Sequence, residues 1–274
     1  MGIVNVTPDS FSDGGLFAAP GPAIAHAMSL LEAGAAMLDV GGESTRPRGT
    51  AYGEGAPDIS VEEETRRVIP VIAGILKARP DAIVSVDTRK PEVARAGLHA
   101  GAVIVNLVTG LDPPPDLVTL LSETGAPIVL NHCRGTPSTT FTVSRFTDVV
   151  REVSEDLDAV EKRLVEAGVP LERLWRDPGF GFGKDAEENF HLLANLGRLT
   201  PPGRVLVAGA SRKAFLGSLS AVPPTGRLPE SLAAVVMAAR LSSRNPVIVR
   251  VHDVGETARF LRVLEETVLR MDLS

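Results

Sequence analysis

The sequence predicts an α/β fold, a TIM-type (β/α)8 barrel forming a single domain over residues 1–274, and three observations carry that prediction. Eight short apolar, β-branched runs recur along the chain, and most are separated by a segment with helix-like spacing of apolar residues. The length of 274 residues also suits a barrel, which takes roughly 250. An open doubly wound sheet is the other way to bury strands on both faces under helical crossovers, and eight units at this length favour closure.

The first strand is read at residues 2–6 and its helix at 22–33, where Pro22 suits a first helical turn. Strand two, 36–40, leads to a helix at 61–77; Ser60, three residues before Glu63, has capping-box spacing. Strand three, 82–86, precedes a helix at 91–100 opened by Pro91, and strand four, 103–107, a helix at 115–124. Strands at 127–130 and 173–176 pair with helices at 145–168 and 186–199. The last two units run from 204–208 to a helix at 229–241 opened by Pro229, and from 247–251 to a helix at 253–269. Two segments rich in Gly, Pro and Ser, residues 9–22 and 41–57, follow strands one and two. They leave the strand ends that carry chemistry in barrels, which makes them candidate active-site lids.

Composition narrows the function. The chain is 44% hydrophobic and 23% charged, as expected of a globular domain. A net charge of −6 gives no footing for nucleic acid and points to small-molecule partners. The longest uninterrupted apolar stretch, Leu232 to Ala239, is far short of the ~20 residues a bilayer span needs, so no membrane association is expected. Cys133 is the only cysteine and implies neither a disulfide nor a thiolate metal site; with no signal peptide evident, the expected location is cytoplasmic.

Polar residues fall where the apolar runs end: Asn5, Asp39, Asp87, Asn106, Asn131 with His132, Asp177, Ser211 with Lys213, and Arg250 with His252. Any one of them could cap a helix or make a turn. In a barrel, however, all eight positions gather around the C-terminal mouth, and together they read as a site. Three carboxylates there, Asp39, Asp87 and Asp177, need donors, since burying a carboxylate without them costs several kcal/mol. A guanidine-like heterocycle would supply those donors.

At these residues a resemblance enters. Gly2-Ile3-Val4-Asn5-Val6-Thr7-Pro8-Asp9-Ser10-Phe11-Ser12-Asp13-Gly14-Gly15 and Asp39-Val40-Gly41-Gly42-Glu43-Ser44-Thr45-Arg46-Pro47 resemble two long signatures of dihydropteroate synthases. Ser85-Val86-Asp87-Thr88, Asp177-Pro178-Gly179-Phe180-Gly181-Phe182-Gly183-Lys184, Ser211-Arg212-Lys213 and Arg250-Val251-His252-Asp253 continue it in order along the chain.

The resemblance implies condensation of 6-hydroxymethyl-7,8-dihydropterin pyrophosphate with p-aminobenzoate to 7,8-dihydropteroate and pyrophosphate, by loss of pyrophosphate and then attack of the aryl amine. It implies that Asp87, Asn106, Asp177 and Lys213 hold the pterin; the carboxylates accept from its aminopyrimidine edge and Lys213 donates to its acceptors. Asp39 stands behind them, or forms a structural salt bridge with Lys213 or Arg250. Arg250 and His252, with Arg46, would take the pyrophosphate, although a strand-end Arg can also simply pair with a carboxylate and His252 can simply cap. Asn5 would help hold a Mg2+ ion against the pyrophosphate oxygens. Thr45, Phe182, Ser211 and Lys213 would form the p-aminobenzoate pocket, closed over by Phe11, Asp13, Arg46 and Pro47 from the two loops. Phe180 and Phe182 could instead be core aromatics. A homodimer is implied, through the late helices around 231–241.

The chain departs from the family's usual pattern at Leu107, which follows Asn106 in place of a carboxylate, and at Asn131-His132-Cys133, where Asn131 replaces an apolar side chain and makes the pterin pocket more polar. It also opens directly on its first strand, so a shortened start is expected. Two rival readings are a pterin-dependent methyltransferase and a catalytically silent pterin-binding chain. The Ser-Thr-Arg-Pro loop argues against the first, and the presence of Lys213, Arg250 and His252 against the second.

Overall fold

A computed structural model describes residues 1–7, 20–43, 58–108, 111–134 and 146–268. Short strands alternate with helices: β1 (Gly2–Asn5), α1 (Pro20–Glu32), β2 (Leu38–Gly41), α2 (Val61–Ala78), β3 (Val84–Asp87), α3 (Pro91–His99), β4 (Ile104–Leu107), α4 (Pro115–Glu123), β5 (Ile128–Asn131) and α5 (Val149–Glu166). Then come β6 (Leu174–Asp177), α6 (Ala186–Ala194), α7 (Leu196–Leu199), β7 (Leu206–Ala208), α8 (Ala214–Gly217), α9 (Leu228–Ala239), β8 (Val247–Val249) and α10 (Val254–Val268). The strands pair in parallel in sequence order. Gly2 bridges Val251, and the Ile3 N–H donates to the Val251 carbonyl at 3.1 Å, so β1 meets the exit of β8 and the sheet closes into a barrel.

All eight expected strands form, displaced by two residues or fewer at either end. The expected helix at 186–199 is broken at Asn195, whose side chain turns back to the His191 carbonyl at 2.8 Å. Ser60 does cap α2, accepting from the Glu63 N–H at 3.2 Å, but the Glu63 carboxylate binds Arg67 at 2.7 Å instead of completing a box. The reciprocal capping box lies at Asp185 and Glu188, opening α6.

The strands' period of two sorts their side chains into two environments. Val4, Leu38, Val40, Val84, Val86, Val105, Ile128, Leu130, Leu174 and Leu206 turn outward into the main core beneath the helices. Burying each Leu, Ile or Val is worth roughly 1.5–3 kcal/mol. Met37, Ile104, Val129, Trp175, Val207 and Ile248 form a separate apolar plug inside the barrel. Arg176 breaks the outward apolar rule yet is 2% exposed. Its guanidinium is matched by Glu161 on α5, at 2.8 and 2.5 Å, and by the Leu199 carbonyl at 2.9 Å.

The small-residue stripe of α9 is accounted for by packing: Ser231, Ala234, Val235 and Ala238 are its buried residues. No helix among the described residues is long and apolar enough to cross a membrane.

Candidate active site

Two residues beyond the apolar plug, the same inward face turns polar. Asp39 follows Met37, Asn106 follows Ile104, Asn131 follows Val129, Asp177 follows Trp175, and Arg250 follows Ile248. The ladder sets Asp39 beside Ser85, Asp87 beside Asn106, and Asn131 beside Asp177. The barrel therefore has an apolar floor and a polar ring, each contributed by almost every strand.

Arg250 organises the ring. Its Nε donates to Asp39 Oδ2 at 2.6 Å and its Nη2 to Asp87 Oδ2 at 2.8 Å. Asn106 Nδ2 donates to the same Asp39 oxygen at 2.9 Å. Of the alternatives open for Asp39, the salt bridge to Arg250 is the one that forms, and Asp39 also fixes Asn106. One guanidinium thus serves two carboxylates. Burial and the neighbouring Asp39 charge push Asp87 up to about 7, whereas the two carboxylates, outweighing burial, hold the Arg250 guanidinium charged. Burial raises Asp177 as well; its Oδ1 accepts from the Gly179 N–H at 2.8 Å.

The turn after β6 carries the next pieces. Lys213 Nζ lies 4.2 Å from the centre of the Phe182 ring, within cation–π range. Burial, then the Arg250 charge, draws Lys213 down to about 8. Phe182 clusters with Val108 and Cys133, while Phe180 stacks on Phe215 at 5.7 Å in the core. The two phenylalanines therefore part: the core reading holds for Phe180, and Phe182 faces Lys213. At Gly181, φ is 77° and a Cβ would sit 3.2 Å from Lys213 Cδ; at Gly179, φ is 67° and a Cβ would meet the His132 carbonyl oxygen at 1.8 Å. Both positions favour glycine by backbone angle, and Gly179 demands it for room as well.

Ser211 and Lys213 flank Arg212, which holds φ at 58°. That strain is sustained by its N–H to Ser231 Oγ at 3.1 Å, by Arg227 Nη1 on its carbonyl at 3.0 Å, and by its own Nε on Asp253 at 3.0 Å. Ser211 Oγ accepts from the His252 N–H at 3.2 Å and lies 3.1 Å from His252 Nδ1. With the hydroxyl donating to Nδ1, the tautomer carries its proton on Nε2; the opposite tautomer donates from Nδ1 to the hydroxyl. Burial, together with the Arg250 and Arg212 charges, lowers His252 to about 3, so its imidazole is neutral.

Asn5 ends β1, half-buried, and no described residue hydrogen-bonds its side chain. It leaves one hard amide oxygen at the mouth, suited to a Mg2+ ion that takes its other ligands from phosphate and water. Among the described residues, no group of three His, Cys, Asp or Glu could hold a metal by itself. Phe11, Asp13, Thr45, Arg46 and Pro47 lie outside the described residues. His132 does not join the ring as the strand-end pattern suggested. It points outward, 3.0 Å from Asp156 on α5, because it lies one residue off the inward period.

Three supporting residues escaped the sequence reading. Lys184, buried, donates to the Gly179, Phe182 and His132 carbonyls at 2.9, 3.0 and 3.3 Å, clamping the β6 turn to the end of β5. Asn189 accepts from the Gly181 N–H at 2.8 Å. Glu43, beyond β2, accepts from Arg89 at 2.9 Å, Lys90 at 3.0 Å and the Ile59 N–H at 3.1 Å, which fixes the strand exit where residues 44–57 begin. The Gly-Phe-Gly-Lys motif was visible, but a lysine bound only to carbonyls has no sequence partner to betray it.

The profile of the pterin binding enzyme family matches residues 1–252. Dihydropteroate synthase of Escherichia coli K12 is 44% identical over 268 residues, covering 98% of this chain and 91% of that protein. The Xanthomonas albilineans dihydropteroate synthase bound to 4-aminobenzoic acid superposes with a TM-score of 0.86 at 42% identity, over 97% of this chain and 92% of that one. The same enzyme in complex with 7,8-dihydropteroate gives 0.81 at 39% identity, over 97% and 92%.

Proposed function

This chain belongs to the dihydropteroate synthase family, and from that premise we propose how its barrel mouth performs the family's reaction. The chain is a transferase of folate biosynthesis that condenses 6-hydroxymethyl-7,8-dihydropterin pyrophosphate with p-aminobenzoate, giving 7,8-dihydropteroate and pyrophosphate. The observation that best supports the residue roles is the inward ring in which Asp39 and Asp87 share the single cation Arg250, with Asp177 beside them.

Asp87 and Asp177 accept from the N–H groups of the pterin's aminopyrimidine edge, Asn106 is held ready by Asp39, and Lys213 donates to ring acceptors. With the ring fixed, the methylene C–O bond breaks and its electron pair leaves on pyrophosphate. Arg250, the neutral imidazole of His252 and Arg46 would receive that negative charge. p-Aminobenzoate, which Phe182, Ser211 and Lys213 would hold together with Thr45 and Pro47, attacks through its amine to form the C–N bond, and one N–H proton passes to the released pyrophosphate or to water. Phe11 and Asp13 would close the cavity against water. The chain's contribution is positioning and charge stabilisation, without a covalent nucleophile. Asn5 would hold Mg2+, which when bound supplies further positive charge to the leaving group. A homodimer and a cytoplasmic location carry over from the resemblance.

The test is pyrophosphate release from the dihydropterin pyrophosphate with Mg2+, with and without p-aminobenzoate, in the wild-type chain, Lys213→Ala and Arg250→Ala. Release coupled to dihydropteroate formation, lost in both variants, is the expected result. Pterin binding without turnover in the wild type would replace the synthase by a silent binder.

A further inference from the structure

We propose that Asn131 is a specificity-determining residue that hydrogen-bonds the pteridine ring of the substrate. The proposal rests on the family reading and adds a polar contact made by a residue that the reaction scheme above leaves idle.

Asn131 ends β5 in register with Asp177 and lies two residues beyond Val129, so it shares the inward face of the plug and the ring. It is 8% exposed. Its Oδ1 is buried and has no hydrogen-bond partner among the described residues. The amide lies against the turn that delivers the Gly179 N–H to Asp177: a Cβ at Gly179 would be 3.2 Å from Asn131 Oδ1. Three other orphaned polar atoms, Asp39 Oδ1, Ser85 Oγ and Asn106 Oδ1, lie on the same inner face. Four other such atoms lie elsewhere among the described residues, on Glu64, His132, Thr200 and Glu230, but only the inner face gathers four in one place, where a ligand or water would satisfy them.

The amide differs in kind from its neighbours. Carboxylates offer only acceptors and Lys213 only donors, whereas an Asn side chain presents one of each, a bond apart. A pteridine edge alternates N–H groups with ring nitrogens and a carbonyl, so an amide can meet an adjacent donor and acceptor that neither Asp177 nor Lys213 can serve alone. An apolar residue here would give the ring surface contact without that pairing.

The experiment titrates 6-hydroxymethylpterin into the full chain by calorimetry for wild type, Asn131→Met and Asn131→Ala. It also measures the KM for p-aminobenzoate at saturating pterin pyrophosphate and the melting temperature of each. The expected result is a pterin Kd raised tenfold or more in both variants, an unchanged KM for p-aminobenzoate, and a melting temperature for Asn131→Met no lower than wild type, since the orphaned acceptor is gone. Should Asn131→Met fail to fold, the smaller Asn131→Ala decides. An unchanged pterin Kd overturns the proposal, as does a loss that affects both substrates equally and follows a fall in melting temperature. Normal wild-type turnover alongside either result leaves the family reaction standing; a wild type that binds no pterin sinks both readings.

Discussion

Replacing Asp87 with Asn is expected to destroy activity while making the protein more stable above neutral pH. In the unfolded chain this carboxyl ionises near 3.9. In the fold it must share Arg250 with Asp39, and burial with the Asp39 charge pushes it up to about 7. Because the folded-state pKa lies above the unfolded one, the stability it confers is intact below pH ~4 and is lost as pH rises toward 7. A rise from 3.8 to about 7 corresponds to ~4 kcal/mol at about 1.36 kcal/mol per unit. The side chain keeps 15% exposure, which discounts the figure to about 2–4 kcal/mol. Asp87→Asn removes the titration and leaves the Asp39–Arg250 pair in place. Its stability advantage should be near zero at pH 4, grow through pH 5–7, and reach about 2–4 kcal/mol at pH 8, or on the order of 4–8 °C in Tm for a chain of this size. Urea denaturation of both proteins across that range measures it. An Asn variant less stable than wild type at pH 8, or a difference that does not change with pH, would refute the reasoning.

Two further expectations follow from the same geometry. Since His252 is already neutral well below physiological pH, the pH profiles of kcat/KM for wild type and His252→Gln should have the same shape between pH 5 and 8, whatever their heights. A limb near pH 6 present only in the wild type would contradict a neutral imidazole. Gly179→Ala should cost about 1–2 kcal/mol for the left-handed backbone alone and more for the collision with the His132 carbonyl. Because the turn must shift, the Gly179 N–H leaves Asp177 and pterin binding should fail too; normal denaturation with normal pterin affinity would show that the contact is easily relieved.

The barrel was legible because its signals are local and repeated: β-branched runs, helical spacing, and Pro at the start of α3. The site was legible from polar residues at strand ends, and Asp39, Asp87, Asn106, Asp177 and Arg250 do all fall on one inward face. Strand-end position alone does not test register, and so it took in His132, which lies one step off the inward face. That Asp39 would pair with Arg250 and not with Lys213 depended on a contact across 211 residues, beyond any local pattern. The Lys184 clamp was hidden for a different reason, because its acceptors are backbone carbonyls, which every residue has. The role of Asn5 toward Mg2+ came from resemblance alone.

The β6 turn touches the backbone beyond β5 at Gly179, leaving no volume in which a side chain could grow, and lies against the Lys213 stem at Gly181. Mutational routes to altered ligand choice are therefore unevenly distributed around the mouth. They are closed at Gly179, where a single added carbon meets main chain, and more open at Val108 and Cys133, which pack against the Phe182 side chain. Selection for a changed ligand preference therefore has its room at the ends of β4 and β5, while Gly179 admits no larger residue without moving the turn.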